Sequence, residues 1–420
     1  MSTRRRRQPS SSAKKRGAKR ASLSGKDATN FFGETELSSK KSETEGKRVG
    51  EGGCSSLCRF VSDMFLPVGY PHSVEKGYIE YQFWDLCQGL TSYVRSSLAI
   101  RETLIAFGVG DVAANATSAA LSKNLLDAAS KIGGLTFTWS VSSKFGHNIR
   151  QWRLFADVIN DIGLTLTMIA PLCGEKYFLS VAACANIATT MCGITGGATK
   201  ATISHFFAKK NNLADLCAKE GSQETFGNLV GIFLGYIFLS FQDSANYQLI
   251  WSSFFVLTVL HIIANVYAVR HLRFNTINNC RFGLLFDKFY NRKNTVEAQM
   301  DIDSIAASEP YLMYWTTMPV RIFAGQKHSA GERNVLHEHD RYRIFTLKEN
   351  SGKNDVHIAL KKEAAMKDIL KAFFHANYLK SHNGRSIDVE FEEFFLCLVK
   401  EGWDVERVDA LTVGNWRYDW

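Results

Sequence analysis

Three runs without a charged residue dominate the middle of this chain: Tyr177–Thr199 with 23 residues, Thr225–Gln242 with 18, and Ser244–Val269 with 26. A helix rises about 1.5 Å per residue, so about 20 apolar residues cross the hydrocarbon of a bilayer. All three runs are long enough, the second barely. A buried core helix has the same look, but three such lengths so close together are unusual for a fold bathed in water. The middle of the chain is therefore expected to be a membrane-embedded helical bundle.

The second run carries Gly227, Gly231 and Gly235 at four-residue spacing. On a helix these line one face and let another backbone approach, the usual packing device in lipid. In water each interior glycine would cost about 1 kcal/mol relative to alanine. The first run is also rich in Ala and Gly and ends in Gly196-Gly197, so small-residue packing is expected there too.

Upstream helical segments carry charges: Arg95, Arg101 and Glu102 within 84–109, Lys123, Asp127 and Lys131 within 112–143, and Asp157 and Asp161 within 154–173. A charge at mid-membrane costs about 2.5–3.5 kcal/mol on insertion scales, so these side chains should face the bundle interior or its surface. Six helices with turns at 108–111, 174–176 and 242–248 give a consistent orientation. Those turns hold a single Lys, whereas the opposite ends carry Lys144, Arg150, Arg153, Lys209, Lys210, Lys219, Arg270 and Arg273. Both chain ends then lie on the basic side.

The formal net charge of +9 belongs to one end. Residues 1–26 hold ten Lys or Arg and no acid, and without them residues 27–420 sum to −1. Residues 1–57 read as a disordered tail, because they offer little apolar surface to bury. Such a tail is a solvated end, a contact for anionic lipid or nucleic acid, or an address; no signal-peptide apolar core follows it. Residues 58–274 form the expected helical membrane domain. Residues 275–420 read as a soluble α+β domain, with strand-like alternation at 341–347 and 355–360 and amphipathic helices at 363–379 and 389–400.

Nine cysteines lack a paired framework and should be reduced thiols. His337 and His339 form the tight His pair, with no third ligand in view, so no metal site is assigned. No cofactor signature, nucleophile elbow, P-loop or kinase string stands out, and an enzyme is not expected. The many Phe residues are interleaved with apolar ones, which reads as core rather than as a platform for a specific nucleic acid.

The candidate site residues are polar groups among apolar helices. Arg153, Asp157, Asn160 and Asp161 share one helical face, either as an ion-paired stripe or as a polar seam lining a solute path. Residues 200–224 read as a polar connection between two spans, with Lys200, Asn212, Asp215, Lys219, Ser222 and Glu224. There Ser222 is expected to cap the next helix. The alternative is an anion site at that helix start, helped by Lys200 and Lys219. The connection is expected to be the functional centre, on the same side as both termini.

Several strings carry a family resemblance. They are Phe65-Leu66-Pro67-Val68-Gly69-Tyr70-Pro71, Tyr81-Gln82-Phe83-Trp84-Asp85, Gly108-Val109-Gly110-Asp111 and Gln151-Trp152-Arg153-Leu154-Phe155-Ala156-Asp157. Gly196-Gly197-Ala198-Thr199-Lys200-Ala201, Asn212-Leu213-Ala214-Asp215 and 218–225 (AKEGSQET) follow in order. Together they resemble the root UV-B sensitive family over roughly residues 60–290, with weaker echoes at 277–281, 402–404 and Trp416-Arg417. The resemblance implies membrane-associated helical proteins, in plastids for some plant members, linked to UV-B response and seedling development. It implies no catalytic reaction. Leu126-Asp127-Ala128 stands where relatives often have Lys-Asp-Gly, so a role of that Lys does not carry over.

The resulting expectation is a non-enzymatic membrane protein that binds or moves a small solute. The alternative is a membrane-anchored scaffold meeting a protein partner or another family member.

Overall fold

The computed structural model describes residues 52–109, 115–142, 145–146, 148–241, 246–292, 300–311, 320–322, 333–347, 356–381 and 387–407. The basic residues of 1–26, Gly110, Asp111, Lys144, Trp416 and Arg417 lie outside the described residues. A first helix, α1 (Gly52–Phe65), begins a few residues ahead of the expected start at 58.

The apolar runs and the charged segments before them become six long helices: α2 (Tyr78–Ala106), α3 (Ala116–Val141), α4 (Ile149–Ile169), α5 (Gly174–Phe207), α6 (Leu213–Ser240) and α7 (Tyr247–Arg270). Local chemistry sets their starts. Asn115 accepts from the Thr117 and Ser118 amides at the head of α3, and Asn246 accepts from the Leu249 amide at the head of α7. Between α4 and α5, a 3-10 turn (Ala170–Cys173) ends at Gly174, whose φ of +71° suits glycine and lets the chain reverse. The breaks between these helices match the assumed turns, although 110–111 and 242–245 of those turns lie outside the described residues.

Cross-helix pairs give the order. Asp85 meets Arg153 and Gln88 meets Asp157, so α2 and α4 run parallel. Gln82 meets Glu220 while Ser97 lies against Gly235, so α6 runs parallel to α2 as well. Trp84 stacks on Tyr267 and Arg95 reaches Thr258, so α7 is antiparallel to α2. This is an up-and-down bundle with α2 near its centre. The starts of α2 and α6 and the end of α7 share one end, as the charge asymmetry implied.

The glycine stripe is a packing seam. A Cβ built on Gly227, Gly231 or Gly235 would come within 2.7 Å of Leu86, 2.7 Å of Tyr93 and 2.6 Å of Ser97 on α2. Real side chains do not approach that closely, so α6 sits on α2 only because the methyl groups are missing. The outward faces are apolar: Leu135 and Trp139 on α3, Ile232 and Phe233 on α6, and Phe255 and Val256 on α7 are exposed. Two stretches, Ile149–Phe207 (α4, the turn and α5) and Tyr247–Arg270, are long and apolar enough to cross a membrane by length and composition.

The rest of the chain has a different core. Helices α8 (Asn279–Arg292) and α9 (Ile302–Ser308) precede a four-stranded sheet of β1 (Val320–Ile322), β2 (Arg333–Glu338), β3 (Tyr342–Leu347) and β4 (Val356–Leu360), in the order β1-β4-β3-β2. The β1–β4 pair is parallel and the others antiparallel. Helices α10 (Met366–Ser381) and α11 (Ile387–Lys400) complete it. Phe282, Phe289, Phe373, Phe374, Phe391 and Phe394 form an aromatic core beside Ile344 and Ile358 of the sheet.

A buried ion cluster joins α4 to this region. The Glu309 carboxylate accepts from Arg150 at 3.1 Å and from Arg281 at 3.0 Å, and Arg150 also donates to the Ala306 and Val269 carbonyls. Burial alone would raise the Glu309 pKa, but the two guanidiniums override it and hold the carboxyl below its ordinary range. Residues 56–420 form one unit.

Candidate functional site

Tyr81, Asp85, Gln88, Ser92 and Ser96 recur at three- and four-residue steps along α2. They therefore share one side of the helix over about 22 Å. With facing residues of α4, α5 and α6 they line a cavity of about 670 Å³. That is within the usual size of a small-molecule site.

The cavity wall is charged. Arg153 donates to Asp85 at 2.6 Å, and Lys200 to Glu224 at 2.5 Å. Glu220 is 6% exposed and accepts from Gln82 Nε2 at 2.9 Å and Ser204 Oγ at 2.5 Å. On α5, a Cβ built on Gly193 or Gly197 meets nothing within 4 Å. Here the missing side chains leave open volume, unlike the packing seam of α6. The expectation that small residues of the first run serve packing fails at these two positions.

Behind the wall the polar groups continue into the bundle. Gln88 Nε2 donates to Asp157 Oδ1 at 3.0 Å and lies 2.8 Å from His261 Nε2. On the other side of the ring, His261 Nδ1 is 2.9 Å from Asp161 Oδ1. Arg95 Nη1 closes the chain at 2.6 Å from the same oxygen, and Asn265 donates to Asp157. Arg95, Asp157, Asp161 and His261 are all buried.

The structure thus brings Arg153, Lys200, Glu224 and Gly227 together at the cavity and puts Asp157 and Asp161 directly behind it. Asn160 donates to Ser92. The other candidates lie elsewhere. Asp215 accepts from the Val68 amide at 2.7 Å, Lys219 donates to the Asp63 carbonyl, and Asn212 donates to the Ser73 carbonyl. These contacts hold the last turn of α1 and the segment between α1 and α2 against the end of the bundle.

Two expectations about residues 200–224 are overturned. Lys200 is inside α5 and Glu224 inside α6, so the connection is only 208–212, with Lys210 and Asn211 at positive φ in the turn. Ser222 caps nothing: it sits within α6 and its hydroxyl donates to the Ala218 carbonyl of the preceding turn. No helix starts there, so an anion site built on a helix N-terminus has no basis. Reading the sequence also missed Glu220, Ser204, Arg95 and His261 as site residues. The signal for His261 was available, since it is the one histidine in the third apolar run.

His337 follows a bulge in the β2–β3 pairing, and its ring centre lies 4.0 Å from that of His375, while His339 stacks on Tyr342. Among the described residues no group of three or more His, Cys, Asp or Glu is placed to hold a metal ion.

Comparison with known proteins adds a family. A family described as the vitamin B6 photo-protection and homoeostasis domain matches residues 53–293. Root UVB sensitive protein 3 of Arabidopsis thaliana is 31% identical over 392 residues, 86% of this chain and 86% of that protein. RUS family member 1 of Dictyostelium discoideum is 38% identical over 252 residues, 60% of this chain and 48% of that one. Root UVB sensitive protein 2 of Arabidopsis, whose name includes "chloroplastic", is 32% identical over 226 residues, 54% of this chain and 51% of that protein. The chain therefore spans about half the length of two of these relatives. No solved structure matches it.

Proposed function

Since this chain belongs to the root UV-B sensitive family, we propose that it acts as a non-catalytic membrane protein whose helical bundle binds a small polar solute and passes it along the cavity. One observation carries the reading: a charged cavity of about 670 Å³ lies inside helices whose outer faces are apolar. Ionisable groups at membrane depth mark solute or ion paths far more often than plain packing. The family description speaks of vitamin B6, so the B6 vitamers are the first solutes to try.

The test is uptake into proteoliposomes containing the full chain. Gly193→Phe supplies the control, because Gly193 lines the cavity and a Cβ there meets nothing within 4 Å, so the ring has an open start into the cavity. Uptake of pyridoxine or pyridoxamine above empty liposomes, abolished by Gly193→Phe, supports the reading. Equal uptake in both proteins would remove the cavity from the path.

A second reading rests on α11. Val389, Leu396 and Val399 stand exposed on one side of that helix, a stripe suited to a protein partner with the bundle as anchor. Leu396→Glu in the full chain should abolish co-purification of such a partner and leave solute uptake unchanged.

A further inference from the structure

The cavity and the network behind it are short of positive charge. Asp85, Asp157, Asp161, Glu220 and Glu224 supply five carboxylates, whereas Arg95, Arg153 and Lys200 supply three strong bases, two fewer. Asp85 and Asp157 share Arg153, Glu224 has Lys200, and Asp161 has Arg95. Glu220 has only neutral donors, Gln82 and Ser204, and no base lies within 4.0 Å of it among the described residues. It is also the most buried carboxylate on the wall, at 6% exposure.

Lys200, already paired with Glu224, acts on Glu220 only through space. A buried carboxylate without its own paired base is costly, and the cost falls when a cation arrives. An anion would meet the opposite situation, because both wall bases are already taken by carboxylates. The glycines across the cavity leave room for a molecule larger than a metal ion.

We infer that the cavity selects a small organic cation, and that Glu220 receives its charged end. The inference rests on the solute-binding reading above and names the class of solute. Gln82 and Ser204 hold the two Glu220 oxygens from opposite helices, α2 and α5, so the carboxylate is oriented before the cation enters.

The experiment is calorimetric binding at pH 7 to the full chain in lipid nanodiscs, with four probes. Pyridoxamine is a net cation, pyridoxine has no net charge, pyridoxine 5′-phosphate is an anion, and tetraethylammonium is a cation without the ring. Both cations should bind in preference to the others, and Glu220→Gln should weaken them by at least about tenfold. The glutamine keeps the shape and accepts one hydrogen bond while removing the charge. Glu220→Asp, which keeps the charge, should bind more tightly than Glu220→Gln, and this ordering separates lost charge from lost fold. Preference for pyridoxine 5′-phosphate, or cation binding indifferent to Glu220→Gln, would overturn the cation assignment. In that case block of the binding by Gly193→Phe would leave the cavity reading standing. Failure of all four probes to bind would overturn both.

Discussion

Phe374 and Phe233 are the same side chain in two different settings. Phe374 on α10 is 0% exposed and ringed by Phe286, Phe391 and Phe394, whereas Phe233 on α6 is 62% exposed. The pattern extends to their whole regions. The C-terminal α+β part buries aromatic rings and turns Lys367 and Glu392 to solvent as an exposed ion pair. The bundle has apolar clusters inside as well, but it also buries Arg95, Asp157, Asp161 and His261 and leaves many large apolar groups on its outer face. Water explains the first arrangement through the hydrophobic effect. The second is costly in water and natural in a solvent of hydrocarbon.

If the two regions do face different solvents, the same truncation should have different costs. Phe374→Ala should cost about 3–5 kcal/mol, the usual range for an emptied aromatic site. Phe233→Ala, measured in nanodiscs, should change thermal stability little. Equal losses would mean that Phe233 packs against protein and that the contrast is false.

Glu309→Ala tests the joint between the regions. It leaves Arg150 and Arg281 buried without their carboxylate, and breaking a buried pair from one side typically costs about 3–5 kcal/mol. The loss should appear as faster proteolysis between α7 and α8 as well as a lower melting temperature. An unchanged cleavage rate would show that other contacts hold the joint.

Acid should act on the C-terminal region through His375. Burial first, then the nearby His337, His339 and Lys371, lowers its pKa from 6.5 to about 4. The unfolded chain takes up this proton near pH 6.5 and the folded one not until about pH 4. Stability is therefore present above 6.5 and is lost as pH falls through that window, by about 3 kcal/mol in all. His375→Gln, which can still meet the Tyr342 hydroxyl, should flatten the slope in urea titrations. A slope as steep as that of the unmodified protein would assign the effect elsewhere.

The smallest expected effect separates the two faces of α6. Gly231→Leu should cost about 1–3 kcal/mol or more by overpacking against Tyr93, and Ile232→Leu on the exposed side almost nothing. Similar folded yields for the two would deny the seam.

Much of this contrast was legible in the sequence, because it depends on periodicity and charge. The charge-free runs located α5, α6 and α7, the Lys and Arg asymmetry agreed with the assumed turns, and alternation marked β3 and β4. Arg153, Asp157 and Asp161 could be grouped because i, i+4 spacing is a property of one helix. Glu220 could not: its burial depends on Gln82 and Ser204, which lie on other helices. Residues 200–224 were misread for a related reason. Polar side chains do not stop backbone hydrogen bonding, so α5 and α6 continue past their apolar stretches until the turn at Lys210 and Asn211. The short strands β1 and β2 and the seven-residue α9 carry too few periods to stand out, whereas α8 is as long as α11 and was missed all the same.

The central claim is that the exposed apolar faces of the bundle lie in lipid, and nitroxide labels measure this directly. Single cysteines at Phe233, Phe255 and Lys210, in a background with the native cysteines replaced by serine, would be labelled in proteoliposomes. Their collision rates would then be compared for oxygen, which concentrates in hydrocarbon, and for a water-soluble nickel chelate. At Phe233 and Phe255 oxygen should dominate and the chelate be nearly excluded, with the reverse at Lys210. Chelate collisions as frequent at Phe233 as at Lys210 would place α6 in water and contradict the account.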